Sequence, residues 1–317
     1  MRVLITNDDG IMAPGIAALA ASASRAGHEV LVAAPLTDYS GSSAAVGPVY
    51  ERASVSYKAF DLVGLDGIPS YGLDASPALS VLLCCLGAFG PPPELVLSGI
   101  NHGANIGRSV LHSGTVGAAL TAAHFHISAI AVSIKYGPDP VPWETPAALA
   151  QQLAGRIAGA PAGTVLNLNV PNVPLEQLKG ISWGSLGRSG LIKAAAAGMG
   201  TDRSGTLPRL SVQASARTDS NAQTRLPDAP EQSTGSITLE LTSYATGSAP
   251  TGLTTETPSL EVDTDADLIA RGYASVTPLA ATRESTDPAT STFVRQAIEE
   301  MLDLRADLRT TAATDSV

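Results

Sequence analysis

Two adjacent carboxylates follow the first apolar run of the chain and offer the clearest chemistry in the sequence. Residues 3–6 are typical of a short buried strand, and Asp8, Asp9 and Gly10 come soon after it. In an open α/β sheet, ligands bind beyond the carboxyl ends of the strands. Asn, Asp and Gly are also the commonest turn residues, so this segment alone fits an ordinary turn as well as a site for a hard cation.

Two later segments also carry polar side chains after apolar runs that predict strands. Ser40 follows a strand predicted at 29–34, and Asn101 follows one predicted at 95–97. If these strands are parallel neighbours of the first, one edge of the sheet collects four oxygen-bearing side chains: Asp8, Asp9, Ser40 and Asn101. Such oxygens suit Mg²⁺ or Mn²⁺ better than zinc, although Ser and Asn taken singly are also common in loops.

A turn of small residues, Ser113-Gly114-Thr115, provides a complement to a cation. It runs into a predicted helix, so backbone N–H groups at the helix start can hold an anion, and the two hydroxyls can add donors. A plain helix cap explains the same residues equally well. A hard cation facing an anion site is suited to phosphate-ester hydrolysis, because the metal activates water and the amides stabilise the developing charge.

Alternating helix and strand signals must position these groups. Helices are predicted at 15–26, 76–86, 114–124 and 145–158, and further strands at 129–134 and 165–170. This alternation predicts an α/β fold with a mostly parallel sheet covered by helices on both faces. Cys84 and Cys85 lie within the second helix, where an apolar run indicates a buried, reduced pair.

The composition of the chain argues against a nucleic-acid partner, against secretion and against a membrane location. The net charge is −10 and no basic stripe is present, which argues against a nucleic-acid duplex as partner. Residues 1–20 lack the features of a signal peptide, and no apolar run approaches the roughly 20 residues that span a bilayer. We therefore expect a cytoplasmic protein with no membrane segment.

The character of the chain changes after about residue 180. We interpret residues 1–190 as a catalytic core and residues 191–261, rich in Ala, Ser, Thr, Gly and Pro, as a variable, partly flexible insertion or hairpin region. Residues 262–317 are predicted to complete the core or an oligomer. They contain a helix that Thr264 caps, a strand at 273–279 and an amphipathic helix at 293–308.

Six fragments in order resemble the SurE family of metal-dependent 5′/3′-nucleotidases, also described as acid phosphatases. The fragments are 4–10 with 13–15, 34–35 with 40–43, 97–101 with 103, 105 and 107, 113–116, 166–171, and 264–265 with 272–279. The resemblance implies a Rossmann-like core with a projecting hairpin. It also implies a homodimer or homotetramer that exchanges C-terminal elements.

The resemblance assigns roles to particular residues. It implies that the divalent metal is held by Asp8, Asp9, Ser40 and Asn101, with the two aspartates also catalytic. It implies that the phosphate lies near Asn105 and the turn Ser113, Gly114 and Thr115.

This sequence departs from the family pattern in three places. His102 replaces a small residue, His112 replaces a usual tyrosine, and the stretch 181–260 matches poorly. Because histidine exchanges protons near neutral pH, we expect His112 to tune the pH optimum or the leaving-group range, without being needed for metal binding. The poor match leaves substrate choice and assembly open.

The leading hypothesis is a metal-dependent phosphomonoesterase that acts on nucleoside 5′-monophosphates, and the sequence leaves open whether 3′-monophosphates are also substrates. One alternative keeps the chemistry but acts on another small phosphate ester. Another is a non-catalytic nucleotide-binding protein, since a fold does not fix a function. A haloacid-dehalogenase-like mechanism is disfavoured, because Asp8 and Asp9 are adjacent rather than two residues apart.

Overall fold

A nine-stranded sheet forms the centre of the described fold. The structure is a computed structural model, and it describes residues 1–47, 54–157, 159–187 and 262–280. The strands are β1 Arg2–Thr6, β2 Glu29–Pro35, β3 Tyr57–Ala59, β4 Ser70–Leu73, β5 Leu95–His102, β6 Ser128–Ile134, β7 Val165–Val170, β8 Ile181–Trp183 and β9 Ala274–Leu279. Their order is β3-β4-β2-β1-β5-β6-β7-β9-β8. The six neighbouring strands β4, β2, β1, β5, β6 and β7 run parallel to one another. β3 is antiparallel to β4, and β9 is antiparallel to β7. The predicted mostly parallel α/β fold is confirmed.

Helices cover both faces of this sheet. They are α1 Pro14–Arg25, α2 Pro77–Cys85, α3 Gly114–His124, α4 Glu144–Ile157 and α5 Asp265–Arg271. Apolar residues of α1 and α4 share one core with Val3 and Ile5, and those of α2 and α3 share the other with Leu4. Successive side chains of a strand point to opposite faces, so β1 is buried on both.

Local signals for helix starts and for the cysteine pair are confirmed. The Ser76 hydroxyl accepts a hydrogen bond from the Leu79 N–H at 3.2 Å, and the Thr264 hydroxyl accepts one from the Asp267 N–H at 3.3 Å. Cys84 and Cys85 are free, buried thiols. Burial raises the pKa of Cys84 to about 12 and that of Cys85 to about 11, as expected for structural thiols.

Several strands differ from the sequence-based prediction. β5 extends to His102 through a bulge after Ser98, and Asn101 resumes pairing opposite Ser133 of β6. Asn101 therefore lies within the strand rather than in the loop that follows it, because the bulge lets pairing resume after Gly99. The strands β3, β4 and β8 were not predicted, since three or four residues are too few to show a clear alternation.

The chain leaves and re-enters the sheet at neighbouring points. The Ser185 N–H donates to the Asp263 carbonyl at 3.2 Å, and the Asp265 N–H donates to the Ser185 carbonyl at 2.8 Å. Residues 274–279 then pair with β7 of their own chain.

Several predictions fall on residues outside the described ranges. The variable region 191–261, the projecting hairpin, the helix at 293–308 and the exchange of C-terminal elements therefore remain predictions. No helix in the described ranges is long and apolar enough to cross a membrane.

Candidate functional site

The ends of three neighbouring strands frame the candidate site. β1 lies between β2 and β5, and all three run parallel. The Ile11 N–H donates to the Pro35 carbonyl at 2.8 Å, and the Tyr39 N–H donates to the Asp8 carbonyl at 2.7 Å. The loop after β1 and the loop after β2 are thereby fastened together, so the expected convergence of strand ends is present in the fold.

Asp8 is buried against the start of α3. Its Oδ1 accepts a hydrogen bond from the Thr115 hydroxyl at 2.5 Å, and the Thr115 backbone N–H also bonds the carboxylate. Burial raises the pKa of Asp8, while the bonds from Thr115 act in the opposite direction. The start of a helix stabilises negative charge, so Asp8 uses part of the anion site that the sequence predicted.

Gly114 allows this close approach. A Cβ atom at Gly114 would lie 2.8 Å from Asp8 Cβ, from Asp8 Oδ2 and from Ser42 Oγ. Among the described residues, the buried Ser42 hydroxyl has no hydrogen-bond partner. Any larger residue at 114 would therefore displace either the carboxylate or the loop after β2.

Negative charge is concentrated at this edge of the sheet. Burial and then the neighbouring Asp8 carboxylate raise the pKa of Asp9 to about 6, and Asp38 adds to the effect. Asp38 Oδ1 accepts hydrogen bonds from the Ser40 N–H at 2.7 Å and from its hydroxyl at 2.6 Å. Within the described residues, no Lys or Arg side chain forms a salt bridge with these carboxylates. Crowded, partly buried carboxylates without a positive partner favour a bound cation.

Asn101 has one side-chain atom left for a ligand. Its Nδ2 donates to the Gly103 carbonyl at 2.5 Å, which leaves Oδ1 as the available oxygen. In the described ranges no cluster of three or more His, Cys, Asp and Glu side chains could hold a metal. The candidate set contains only two such residues, because Ser40 and Asn101 are its other members.

Asn105 is held mainly by buried side chains. Its Nδ2 donates to Ser133 Oγ at 3.0 Å, and its N–H donates to Asn169 Oδ1 at 2.7 Å. Its carbonyl accepts from Asn167 Nδ2 at 2.8 Å and from Asn169 Nδ2 at 3.0 Å. Both asparagines lie within the fragment 166–171 that carries the family resemblance, but no role was predicted for them.

Of the other residues predicted near the start of α3, Ser113 is buried and caps the helix, whereas His112 is exposed. The Ser113 hydroxyl caps the helix by accepting from the Val116 N–H at 3.1 Å. His112 is exposed at the end of a 3-10 helix, Gly107–His112, and its carbonyl accepts from the Ser43 N–H at 3.2 Å. Its side chain is therefore accessible to solvent.

His102 belongs to an aromatic cluster beside the carboxylates. Its ring centroid lies 4.6 Å from that of Tyr136 and 5.5 Å from that of Trp143, while its backbone N–H bonds Asp9. Burial, and then the charges of Asp9, Asp38 and Asp8, raise the pKa of Tyr136.

Asp38 and Tyr136 were not predicted as site residues. Asp38 carried a usable signal, because it follows the second strand much as Asp8 follows the first. Tyr136 carried none, since only the pairing of β5 with β6 brings it to His102.

This chain is similar to known proteins over most of its length. The family profile described as Survival protein SurE matches residues 3–192. The 5′-nucleotidase SurE of Desulfatibacillum aliphaticivorans is 40% identical over 183 residues, covering 57% of this chain and 70% of that relative. The 5′-nucleotidase SurE of Carboxydothermus hydrogenoformans is 41% identical over 192 residues, covering 59% and 71%. The crystal structure of the SurE protein from Aquifex aeolicus matches with a TM-score of 0.62 and 26% identity, covering 92% of this chain and 98% of that one.

Proposed function

The chain belongs to the SurE family, and from this premise we propose that it hydrolyses nucleoside 5′-monophosphates to a nucleoside and phosphate. The names of the relatives, 5′-nucleotidases at about 40% identity, support this substrate class. The proposal includes dependence on Mg²⁺ or Mn²⁺, activity on 3′-monophosphates and the cytoplasm as its location.

The observation that carries the proposal is the group of carboxylates without a positive partner in the described ranges: Asp8, Asp9 and Asp38. The residues that would hold the metal are Asp8, Asp9, Ser40 and Asn101, whose oxygens match the preference of Mg²⁺ and Mn²⁺. A divalent ion there would neutralise charge on the phosphoryl oxygens and lower the pKa of a bound water.

The chain's own residues would orient the ester. Thr115 holds the Asp8 carboxylate in place, and Gly114 brings the start of α3 next to it. The Gly114 N–H has no acceptor among the described residues, so it can donate to a phosphate oxygen together with the Asn105 amide. Fixed donors of this kind stabilise the charge that develops on phosphoryl oxygens. The exposed His112 would tune the pH optimum or the leaving-group range without being needed for metal binding.

The proposal also includes a homodimer or homotetramer. Apolar side chains on and beside β8 are exposed: Ile181 by 47%, Trp183 by 66%, Leu186 by 38% and Val262 by 78%. Grouped exposed apolar residues commonly mark interaction surfaces. Sedimentation at micromolar concentration should give a species of two or four times the 32.2 kDa chain, and a monomer would contradict this part.

Phosphate release from a panel of esters tests the proposed activity. The panel contains 5′- and 3′-nucleoside monophosphates and non-nucleotide esters, each with Mn²⁺, with Mg²⁺ or with a chelator. We expect hydrolysis of 5′-monophosphates that the chelator abolishes. A full rate in the chelator would contradict metal dependence, and a clear preference for a non-nucleotide ester would favour a biosynthetic phosphatase. Nucleotide binding without any release would indicate a binding protein.

A further inference from the structure

A buried side-chain amide holds residue 105 from one side. Asn169 makes a pair of hydrogen bonds with the Asn105 backbone, accepting from its N–H at 2.7 Å and donating to its carbonyl at 3.0 Å. Asn169 is fully buried. This amide therefore supplies the paired bonds that a neighbouring strand would otherwise give, at a point just beyond the end of β5.

Two further buried residues complete this side. Asn167 Nδ2 donates to the same Asn105 carbonyl at 2.8 Å, and Ser133 Oγ accepts from Asn105 Nδ2 at 3.0 Å. Both residues are fully buried. The bond to Ser133 fixes the plane of the Asn105 amide and leaves its second N–H and its Oδ1 for a ligand.

A buried carboxylate holds residue 107 from the other side. Asp265 Oδ2 accepts from the Gly107 N–H at 2.7 Å, while its Oδ1 accepts from the N–H groups of Gly187 at 3.0 Å and Ala266 at 2.8 Å. Hydrogen bonds to an ionised acceptor are stronger than neutral ones. One side chain thus joins the 105–107 loop to α5 and to the residues that follow β8.

We propose that Asn169 and Asp265 are positioning residues for phosphate binding, because together they fix residues 105–107 so that the Asn105 side chain meets the phosphate. This inference rests on the proposed function. Neither residue forms a hydrogen bond to the candidate metal ligands, so their loss should affect the phosphate and not the metal. A misplacement of about 1 Å costs roughly 100-fold in rate, so a loosened loop should have a large kinetic effect.

The Asp265→Asn variant separates the two functions of this carboxylate. Two N–H donors point at Oδ1 and one at Oδ2, so the single oxygen of an amide is best placed at the Oδ1 position. Its NH₂ group then faces the Gly107 N–H. The substitution should break the tie to the site loop while keeping the bonds to Gly187 and Ala266.

The kinetic test compares Asn169→Ala and Asp265→Asn with a matched control, Thr145→Val. Thr145 is buried and its hydroxyl donates to the Val173 carbonyl at 3.0 Å, so the control loses a buried hydrogen bond outside the site loop. In both site variants, the KM for the nucleotide and the Ki for inorganic phosphate should rise at least about tenfold, and kcat/KM should fall about 30- to 100-fold. Affinity for Mn²⁺, measured by direct titration, should stay within about twofold of wild type, since the metal ligands are untouched. Lower thermal stability with unchanged KM and Ki would overturn the inference.

Hydrogen exchange gives a readout that does not depend on activity. The N–H groups of residues 105 and 107 are the ones bonded by Asn169 and Asp265, so peptides spanning them should exchange faster in the corresponding variant than in Thr145→Val. A wild-type protein that releases no phosphate from any ester contradicts the proposed function, and the exchange still tests the positioning. Unchanged exchange at residues 105 and 107 overturns it.

Discussion

The loop after β2 and the loop after β5 frame the same site but are held in opposite ways. At residues 38–40 the side-chain bonds are local, since exposed Asp38 binds the N–H and hydroxyl of Ser40 two residues away. At residues 105–107 the bonds come from buried side chains 28 to 158 residues away in sequence. The position of Ser40 therefore depends on local side-chain contacts, although its neighbour in the site, Asp8, is held by Thr115 of α3. The candidate phosphate side depends on a buried polar network that leaves little freedom.

The largest effect is expected from the carboxylates between these loops. Asp8→Asn or Asp9→Asn should lower metal-dependent phosphate release by more than about 100-fold, because loss of a ligand exceeds the roughly 10- to 100-fold cost of an outer-shell partner. Far-ultraviolet circular dichroism should show an unchanged fold. Asp66→Asn is the matched control. Asp66 is exposed and precedes β4, so it lies at the amino-terminal ends of the parallel strands, opposite the candidate site. Equal rates for Asp8→Asn and this control would remove Asp8 from the site.

The next effect tests how closely α3 must approach Asp8. Gly114→Ala should lower kcat/KM about 10- to 100-fold, because the new Cβ would displace the carboxylate. Gly155→Ala is the control, since a Cβ at this position in α4 meets nothing within 4 Å. That variant should keep full activity and gain about 0.5–1 kcal/mol in the free energy of unfolding. Full activity of Gly114→Ala would show that the close packing of the start of α3 against Asp8 is not needed for activity.

A smaller effect is expected on the exposed side. Asp38→Asn should weaken Mn²⁺ affinity about tenfold at low salt, because it removes one negative charge near Asp8 and Asp9. Salt screens exposed charges, so the difference should shrink at high ionic strength. The loss caused by Asn169→Ala should not shrink, since its contacts are buried. Equal salt dependence of the two losses would contradict the contrast between the loops.

The smallest effect is expected at His112. His112→Tyr should move the pH–rate profile and the ranking of leaving groups, with kcat/KM at the optimum changed only about two- to threefold, below the range of an essential acid. Mn²⁺ affinity should be unchanged. His124→Tyr is the control, because His124 is also exposed but lies at the other end of α3. If both variants share the wild-type profile, His112 only fills the space of a tyrosine.

The same contrast explains what could be predicted from the sequence. The turn at Asp8, the caps of α2 and α5 and the start of α3 are set by residues within a few positions of each other, and their signals are local. The alternation of strands and helices predicted a mostly parallel sheet, whereas the adjacency of β2, β1 and β5 was only a condition of the site hypothesis and is seen in the fold. Asn169 and Asp265 could not be assigned, because their partners lie 64 and 158 residues away and no local pattern records such a contact. The bulge in β5 was missed for a related reason, since its pairing depends on β6.

The meeting of Ser185 with residues 263 and 265 has an evolutionary consequence. Two chain positions that are held together can be joined by connections of different length without shifting any strand, and doubling the length of a connection costs only about 0.6 kcal/mol in closure entropy. Sequence between residues 188 and 261 can therefore change in length while the candidate site keeps its geometry. The same junction is a natural place to graft a foreign recognition module onto this scaffold.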